Sequence, residues 1–522
     1  MKKLLGAFSL FVVISSSQII AQSVDTAAAI YASTINSKDL SEYLHVLASD
    51  SLAGRETGKP GQKKAASYLA GKFKEFGLLP AVDASDSKTY FQKFELISKT
   101  WEDVYIKTGG KRLTFLEDFY AYGDINFSEE RKLEPVFAGY GIEHANYSDY
   151  KNLNVTGKIA IIFAGEPVKD SISKITGTKA LSDWANDWRK KSEYAKRKGA
   201  ETVFMVVGKN EAEFKTRLNQ LKHHIASPGL GFKDKDKASA VFIPIALAAK
   251  LLSTTPAELL VVKDNLANNV SISPFRSKKV KLKVKVKTDL VPTENVLGLI
   301  EGSDKKDEIV VLTAHYDHLG IENGKIHYGA DDDGSGTAGL IEIAQAFAKA
   351  KREGHAPRRS VLIMPVTAEE KGLMGSEYYT DHPIFPLDKT VADLNIDMIG
   401  RLDEAHKTNE NYIYIIGSNR LSTELHTINE RANKLHTGLE LDYTFNATND
   451  PNRFYYRSDH YNFAKNNIPV IFYFSGVHED YHKPTDTVDK INFSKMEKIT
   501  RLVFHTAWEL ANREKKIEVD VK

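Results

Sequence analysis

At 522 residues the chain exceeds one ordinary hydrophobic core, so two or three domains are expected. Hydrophobic residues make up 42% and charged residues 27%, a globular balance that excludes disorder as the default. Cysteine is absent, which excludes disulfides, thiolate ligands, a cysteine nucleophile and a cysteine-linked lipid; any bound metal must be held by His, Asp and Glu.

The chain opens with Lys2 and Lys3, an apolar run over 4–14 and a polar, small-residue stretch over 15–22. That order predicts a secretory signal peptide cleaved near Ala21 or Gln22, and a periplasmic or extracellular, bacterial-like location. The run is too short to span a bilayer and no later stretch approaches twenty apolar residues, so no membrane span is expected. Lys2 and Lys3 are the only charges in 1–22; their removal takes the formal net charge of +2 to neutrality and leaves no electrostatic reason to invoke nucleic acid.

Residues 37–80 carry two helical patterns. In the second, Ala65, Tyr68, Leu69, Phe73 and Phe76 fall close to helical spacing, and Gly77 and Pro80 stop it. The Gly- and Pro-rich stretch 54–61 before it predicts a loop. From about 130 to 288 short strand candidates, such as 158–164 and 202–207, alternate with polar loops and a helix near 183–199. At its end Val280, Leu282, Val284 and Val286 alternate with Lys281, Lys283, Lys285 and Lys287, a strand with one wet face. The lysine row is read as a solvated face that discourages edge pairing. From 291 onward apolar strands at 309–314, 361–366, 394–398, 412–416 and 468–474 alternate with helices beginning near Thr337, Leu421 and Ser494. This pattern predicts an α/β domain with a buried, largely parallel sheet.

Polar residues cluster just past these strand ends, where open α/β sheets place their sites. His315-Tyr316-Asp317 follows the first strand, and Gly329-Ala330-Asp331-Asp332-Asp333-Gly334-Ser335-Gly336 leads into a helix. Thr367-Ala368-Glu369-Glu370, Asn395-Ile396-Asp397-Met398 and the segment 478–482 end the other loops. Taken singly, each is an ordinary turn, cap or solvated pair. Together, in one sheet domain, so many carboxylates are prohibitive to bury unless cations neutralise them. Two divalent metals with His and carboxylate ligands resolve this, and zinc suits the ligand set best. His478-Glu479-Asp480-Tyr481-His482 also matches His-Glu-x-x-His formally, but that motif needs one helical face. Here a strand ends just before it, Gly476 interrupts and Pro484 follows, so a loop is expected. Ser335 lies in Asp-Gly-Ser-Gly rather than a Gly-x-Ser-x-Gly elbow, which speaks against a serine hydrolase.

In this order the five motifs, the last ending Tyr481-His482-Lys483-Pro484-Thr485-Asp486-Thr487, resemble the zinc exopeptidases of the leucyl aminopeptidase and glutamate carboxypeptidase family over about 292–515. Residues 37–80 resemble the family's N-terminal helical part and 130–288 its protease-associated insert. The resemblance implies a three-layer α/β sandwich with a mixed, mostly parallel sheet, built from 23–129 and 289–522, and a mainly-β insert at 130–288. It implies two Zn2+: Asp331 bridging, His315 and Asp397 completing one site, Glu370 and His482 the other, with Asp332 and Asp333 structural. Asp317 would accept a hydrogen bond from the His315 ring. Glu369 would be the general base and Tyr481 a donor to the tetrahedral oxyanion. Arg457, in Arg457-Ser458-Asp459-His460, falls where the family builds its substrate pocket, and either contacts a substrate terminus or makes a structural ion pair.

The implied activity is an exported aminopeptidase acting on peptides. A carboxypeptidase or dipeptidase on the same scaffold stays open, because specificity lives in pocket loops. Glutaminyl cyclase is disfavoured by the insert. A catalytically inactive peptide-binding scaffold would show a lost ligand or base, and none is lost.

Overall fold

The computed structural model describes residues 25–233, 238–268 and 274–521. The expected signal segment lies outside them. The chain divides into two compact units, one of Met1–Gln92 with Glu294–Lys522 and one of Lys93–Thr293.

The first unit is built on an eight-stranded sheet. Its strands, in chain order, are β1 (Leu79–Pro80), β2 (Gly298–Ile300), β3 (Lys305–His315), β4 (Arg359–Val366), β5 (Thr390–Ile396), β6 (Tyr412–Ile416), β7 (Glu440–Asp442) and β8 (Val470–Phe474). Their order in the sheet is β1-β2-β4-β3-β5-β8-β6-β7. The four central strands β4, β3, β5 and β8 run parallel. β2 joins antiparallel on one side and β6 on the other. Every residue of β4, β5, β6 and β8 is buried, as expected of strands covered on both faces.

Alternation along the strands feeds two cores. Val310, Leu312, Val361, Ile363, Leu394 and Ile396 face one side. There they meet helices α1 (Thr26–Ala32), α2 (Ser37–Leu47), α3 (Pro60–Phe76) and α4 (Gly336–Arg352). Val311, Leu362, Met364, Phe472 and Phe474 face the other side, with Tyr379 of α5 (Met374–Asp381) and Phe463 of α6 (His460–Ala464). The result is the expected three-layer sandwich. The α3 helix buries Ala65, Leu69, Phe73 and Phe76 on the anticipated face, starts on Pro60 and ends on Gly77 at φ 86°, a left-handed cap that glycine adopts without penalty. Burial of each such Leu or Phe stabilises by about 1.5–3 kcal/mol. The short helices α1, α5 and α6 give too few turns to register a periodicity in sequence.

The inserted unit differs from expectation in extent. It begins at Lys93, not near 130, because the strand Phe91–Thr108 pairs with Lys111–Thr114 and with Gly229–Phe232. Strand predominates in it, in two five-stranded sheets, one of which is largely parallel and flanked by helices. That sheet has Ala240–Ile243, Thr202–Val206, Ile159–Phe163 and Pro135–Phe137 parallel, with helices at Trp188–Arg197, Glu211–Ala226 and Pro256–Ala267. Helix 211–226 buries only Phe214, Leu218 and Ile225, so its apolar stripe is thin. The lysine-rich strand Val280–Val296 is not an edge: it lies between Phe91–Thr108 and Phe127–Leu133. Its lysines meet carboxylates across the sheet, Lys281 to Glu130 at 2.7 Å, Lys283 to Asp103 at 3.0 Å and Lys285 to Glu102 at 2.9 Å. Among the described residues no single helix is long and apolar enough to cross a membrane.

Candidate metal centre

Because β4, β3, β5 and β8 are parallel neighbours, their ends open on one sheet edge: His315 closes β3, and the loops after β4, β5 and β8 carry Glu369 and Glu370, Asp397 and His482 respectively. Buried groups lock these loops together. Asp333 accepts from the backbone N–H of His315 (3.1 Å), Gly336 (2.9 Å) and Met398 (3.1 Å), tying three loops to one carboxylate. Asp486 accepts from the N–H of Asp331 and Asp332. Arg55, with no exposed surface, donates to the carbonyls of Tyr316, Leu47, Tyr328 and Gly329 at 2.6–2.9 Å. Gly329, at φ 56°, passes so close to the His318 ring that a Cβ would lie 2.5 Å from it.

At the centre stands Asp332, not Asp331. Asp332 Oδ1 is 3.2 Å from His315 Nε2 and Oδ2 is 3.0 Å from His482 Nε2. Asp331 points the other way: Oδ1 accepts from Gly400 N–H at 2.6 Å and Oδ2 lies 3.3 Å from His478 Nε2. Three adjacent aspartates give no periodicity that tells which side chain faces inward; the anchoring of the Asp331 N–H on Asp486 and of its carboxylate on Gly400 decides it. Around Asp332, Asp397 Oδ1 is 3.6 Å from His315 Nε2, and Glu370 Oε2 is 3.3 Å from His482 Nε2. Glu369 Oε2 lies 3.9 Å from His315 Nε2.

Asp317 also departs from expectation. The His315 Nδ1–H donates to the main-chain carbonyl of Asp317 at 3.1 Å, with the carboxylate 3.9 Å away. That carboxylate accepts instead from Thr57 Oγ1 at 2.8 Å and from Glu369 N–H at 3.1 Å, so it holds the backbone of the expected base. Tyr481 stacks on His482, ring centroids 3.8 Å apart, and lines the cavity. The 478–482 segment is a run of turns with His482 at φ 57°, so its two histidines share no helical face.

Three further residues, to which the sequence reading assigned no role, bear on the site. His318, fully buried, places Nδ1 2.7 Å from Glu370 Oε1. Ser458 donates to Asp397 Oδ2 at 2.6 Å and accepts from Asn395 Nδ2 at 2.8 Å. Asp459, fully buried, accepts from Ser376 Oγ at 2.5 Å. Their adjacency to His315-Tyr316-Asp317 and to Arg457 was the only available signal.

Burial raises the pKa of Glu369 well above the carboxylate range, with Glu370, Asp459 and Asp397 adding to it against His315. Burial and the Asp332 charge push Glu370 up as well, but the His318 and His482 contacts prevail and hold it at about 2. Burial pushes Asp459 up to about 7. Asp332 Oδ2, Glu370 Oε1, both His318 ring nitrogens and His482 Nε2 are buried without a hydrogen bond of sound geometry. Acceptors converging on acceptors in this way require cations. The donor set, carboxylate oxygens and imidazole nitrogens without sulfur, fits zinc. One compact group comprises His315, Glu369 and Asp397, and a second His318, Asp332 and Glu370.

A cleft opens beside this cluster, walled by Met398, Phe454, Phe472, Phe474 and Val477. Arg457 lines it too, exposed, its guanidinium 4.7 Å above the Phe454 ring.

Residues 295–507 match peptidase family M28. Over 249 residues the chain is 26% identical to aminopeptidase YwaD of Bacillus subtilis, covering 46% of this chain and 50% of that protein. It is 39% identical over 111 residues to a probable glutamate carboxypeptidase of Arabidopsis thaliana, covering 21% and 15%. The chain thus spans half or less of these curated relatives. The solved aminopeptidase of Aneurinibacillus sp. strain AM-1 superposes with a TM-score of 0.55 over 95% of this chain and 98% of that one, at 19% identity, a likeness of fold. Residues 295–507, the stretch that matches peptidase family M28, carry the whole constellation around Asp332.

Proposed function

We propose that the chain is an exported di-zinc aminopeptidase. The observation that carries this reading is Asp332, set between His315 and His482, with Glu369 left at the cavity. In this reading Asp332 would serve both ions, His315 and Asp397 would hold one and Glu370 and His482 the other, with His318 orienting Glu370. Bound there, zinc supplies Lewis acidity that activates a water near neutral pH and polarises the scissile carbonyl.

The chain's own groups do the rest. Glu369 takes the proton of the attacking water and returns it to the leaving amine, and Asp317 keeps its backbone in place. Tyr481 donates to the oxyanion. The apolar wall from Phe454 to Val477 seats an uncharged side chain. The match to YwaD, broader than that to the glutamate carboxypeptidase, supports the aminopeptidase branch. The 1–22 pattern supports export, and 93–293 is the protease-associated insert of this reading.

Residues 23–522, assayed on aminoacyl anilides with and without chelator, zinc add-back and N-acetylation, test it. Activity that needs a free N-terminus, is lost to chelation and returns with zinc is expected. Zinc-dependent cleavage that tolerates a blocked N-terminus and needs a free carboxylate assigns the carboxypeptidase branch instead.

A further inference from the structure

The cavity wall is anionic at its floor, where Asp332, Glu369 and Asp397 converge, and carries one permanently cationic side chain, Arg457. Had Arg457 served to neutralise that floor, it would lie within ion-pair distance of a carboxylate. Among the described residues it makes no such pair; its guanidinium rests on the face of Phe454, 4.7 Å from the ring centroid. A stacked guanidinium keeps its edge donors free, and that planar fork matches a carboxylate.

The backbone fixes where the fork can reach. Arg457 N–H donates to Phe454 O at 3.0 Å, closing the turn Phe454–Tyr456. The next residue, Ser458, is hydrogen-bonded to Asp397 at 2.6 Å. Arg457 is therefore anchored one residue from a carboxylate of the metal cluster while its head stays at the exposed rim.

Resting on the exopeptidase reading of this site, we infer that Arg457 is a specificity-determining residue that recognises a substrate carboxylate just beyond the scissile bond. That carboxylate is either the C-terminal group of a dipeptide or the side chain of an acidic second residue. The preferred substrates are short peptides with an apolar first residue and an anion on the leaving half.

The test compares kcat/KM for Leu-Gly, Leu-Gly-amide, Leu-Asp-amide, Leu-Lys-amide and Leu-Gly-Gly-Gly in the wild-type enzyme, R457Q, R457K and R457E. A charge-assisted contact predicts about a tenfold or greater preference for Leu-Gly over Leu-Gly-amide. Preference for Leu-Asp-amide over Leu-Gly-amide marks the side-chain source; a preference confined to Leu-Gly marks the terminus. R457Q brings the ratio close to one, R457K keeps part of it, and R457E turns it towards Leu-Lys-amide. No wild-type preference for either Leu-Gly or Leu-Asp-amide over Leu-Gly-amide, or a preference that survives in R457Q and R457E, overturns the inference. Leucyl-anilide cleavage reports separately on the aminopeptidase reading: its presence with a ratio of one sinks only the role of Arg457. Cleavage of N-acetyl-Leu-Gly with the same Arg457 dependence moves the enzyme to the carboxypeptidase branch and leaves that role standing. Because Arg457 is exposed, unchanged melting of R457Q is expected, and R457E carries the test if R457Q melts early.

Discussion

Asp331 and Asp332 are sequence neighbours that face opposite directions: Asp332 lies 3.2 and 3.0 Å from two imidazoles of the cluster, while Asp331 is hydrogen-bonded to Gly400 N–H at 2.6 Å. Their amide variants should therefore separate. Asp332→Asn is expected to lose most bound zinc and at least about 100-fold in kcat/KM, since changes merely behind a ligand already cost 10–100-fold. Asp331→Asn keeps an acceptor for Gly400 and is expected to retain two zinc ions per chain. Metal analysis of the dialysed proteins decides it; zinc loss in Asp331→Asn alone would return the bridging role to Asp331.

Glu369 and Glu370 divide their work in the same manner. Glu370 contacts His482 and His318, whereas Glu369 reaches the cavity with its N–H held by Asp317. Glu369→Gln should lower kcat by roughly 10²–10⁴-fold with zinc content intact. Asp317→Asn should show a smaller loss of the same kind. Steady-state kinetics beside metal analysis test this, and a Glu369→Gln enzyme of near-native kcat would remove it as the base.

Much of the main unit was legible because its signals are strong. Near-continuous apolar strands such as 361–366 can only be buried, and the strand ends named the loops that meet at Asp332. The choice within Asp331-Asp332-Asp333 was not legible, since it depends on Asp486 and Gly400 from distant loops. His318 was missed for a similar reason: a histidine three residues beyond His315 gains meaning only when Glu370 arrives 2.7 Å away. In the insert, the alternating lysines gave the strand but not its neighbours, because a paired cation and a solvated one leave the same pattern.

Glu342, on α4 and 1% exposed, accepts from Asn36 N–H at 3.2 Å. Burial, with Asp39 and Glu497 adding to it, raises its pKa from 4.5 to about 8. The folded state then binds a proton that the unfolded chain has released, so stability falls as pH rises from about 4.5 to 8. Glu342→Gln removes this slope. Its stability advantage over the wild type should grow across that window to a few kcal/mol, on the order of 1.4 kcal/mol for each pH unit crossed. Urea unfolding at pH 5, 7 and 8.5, in about those steps, measures it; a difference independent of pH would contradict the assignment.

Arg55 joins the segment before α3 to both loops flanking the cluster, through Tyr316 O on one and Tyr328 O and Gly329 O on the other. Asp333 and Asp317 lie close enough to stabilise its charge. Arg55→Met removes every donor and leaves four buried carbonyls, Leu47 O included, short of a partner. The expected loss is about 3–5 kcal/mol, the range for breaking a buried charged network. Arg55→Lys keeps the charge but not the fork, so it should recover only part. Because His315 and Asp332 sit on the loops that Arg55 holds, zinc affinity should fall with stability. Urea unfolding with and without zinc reads both, and a destabilised Arg55→Met that binds zinc as tightly as the wild type would show that the two loops are set without it.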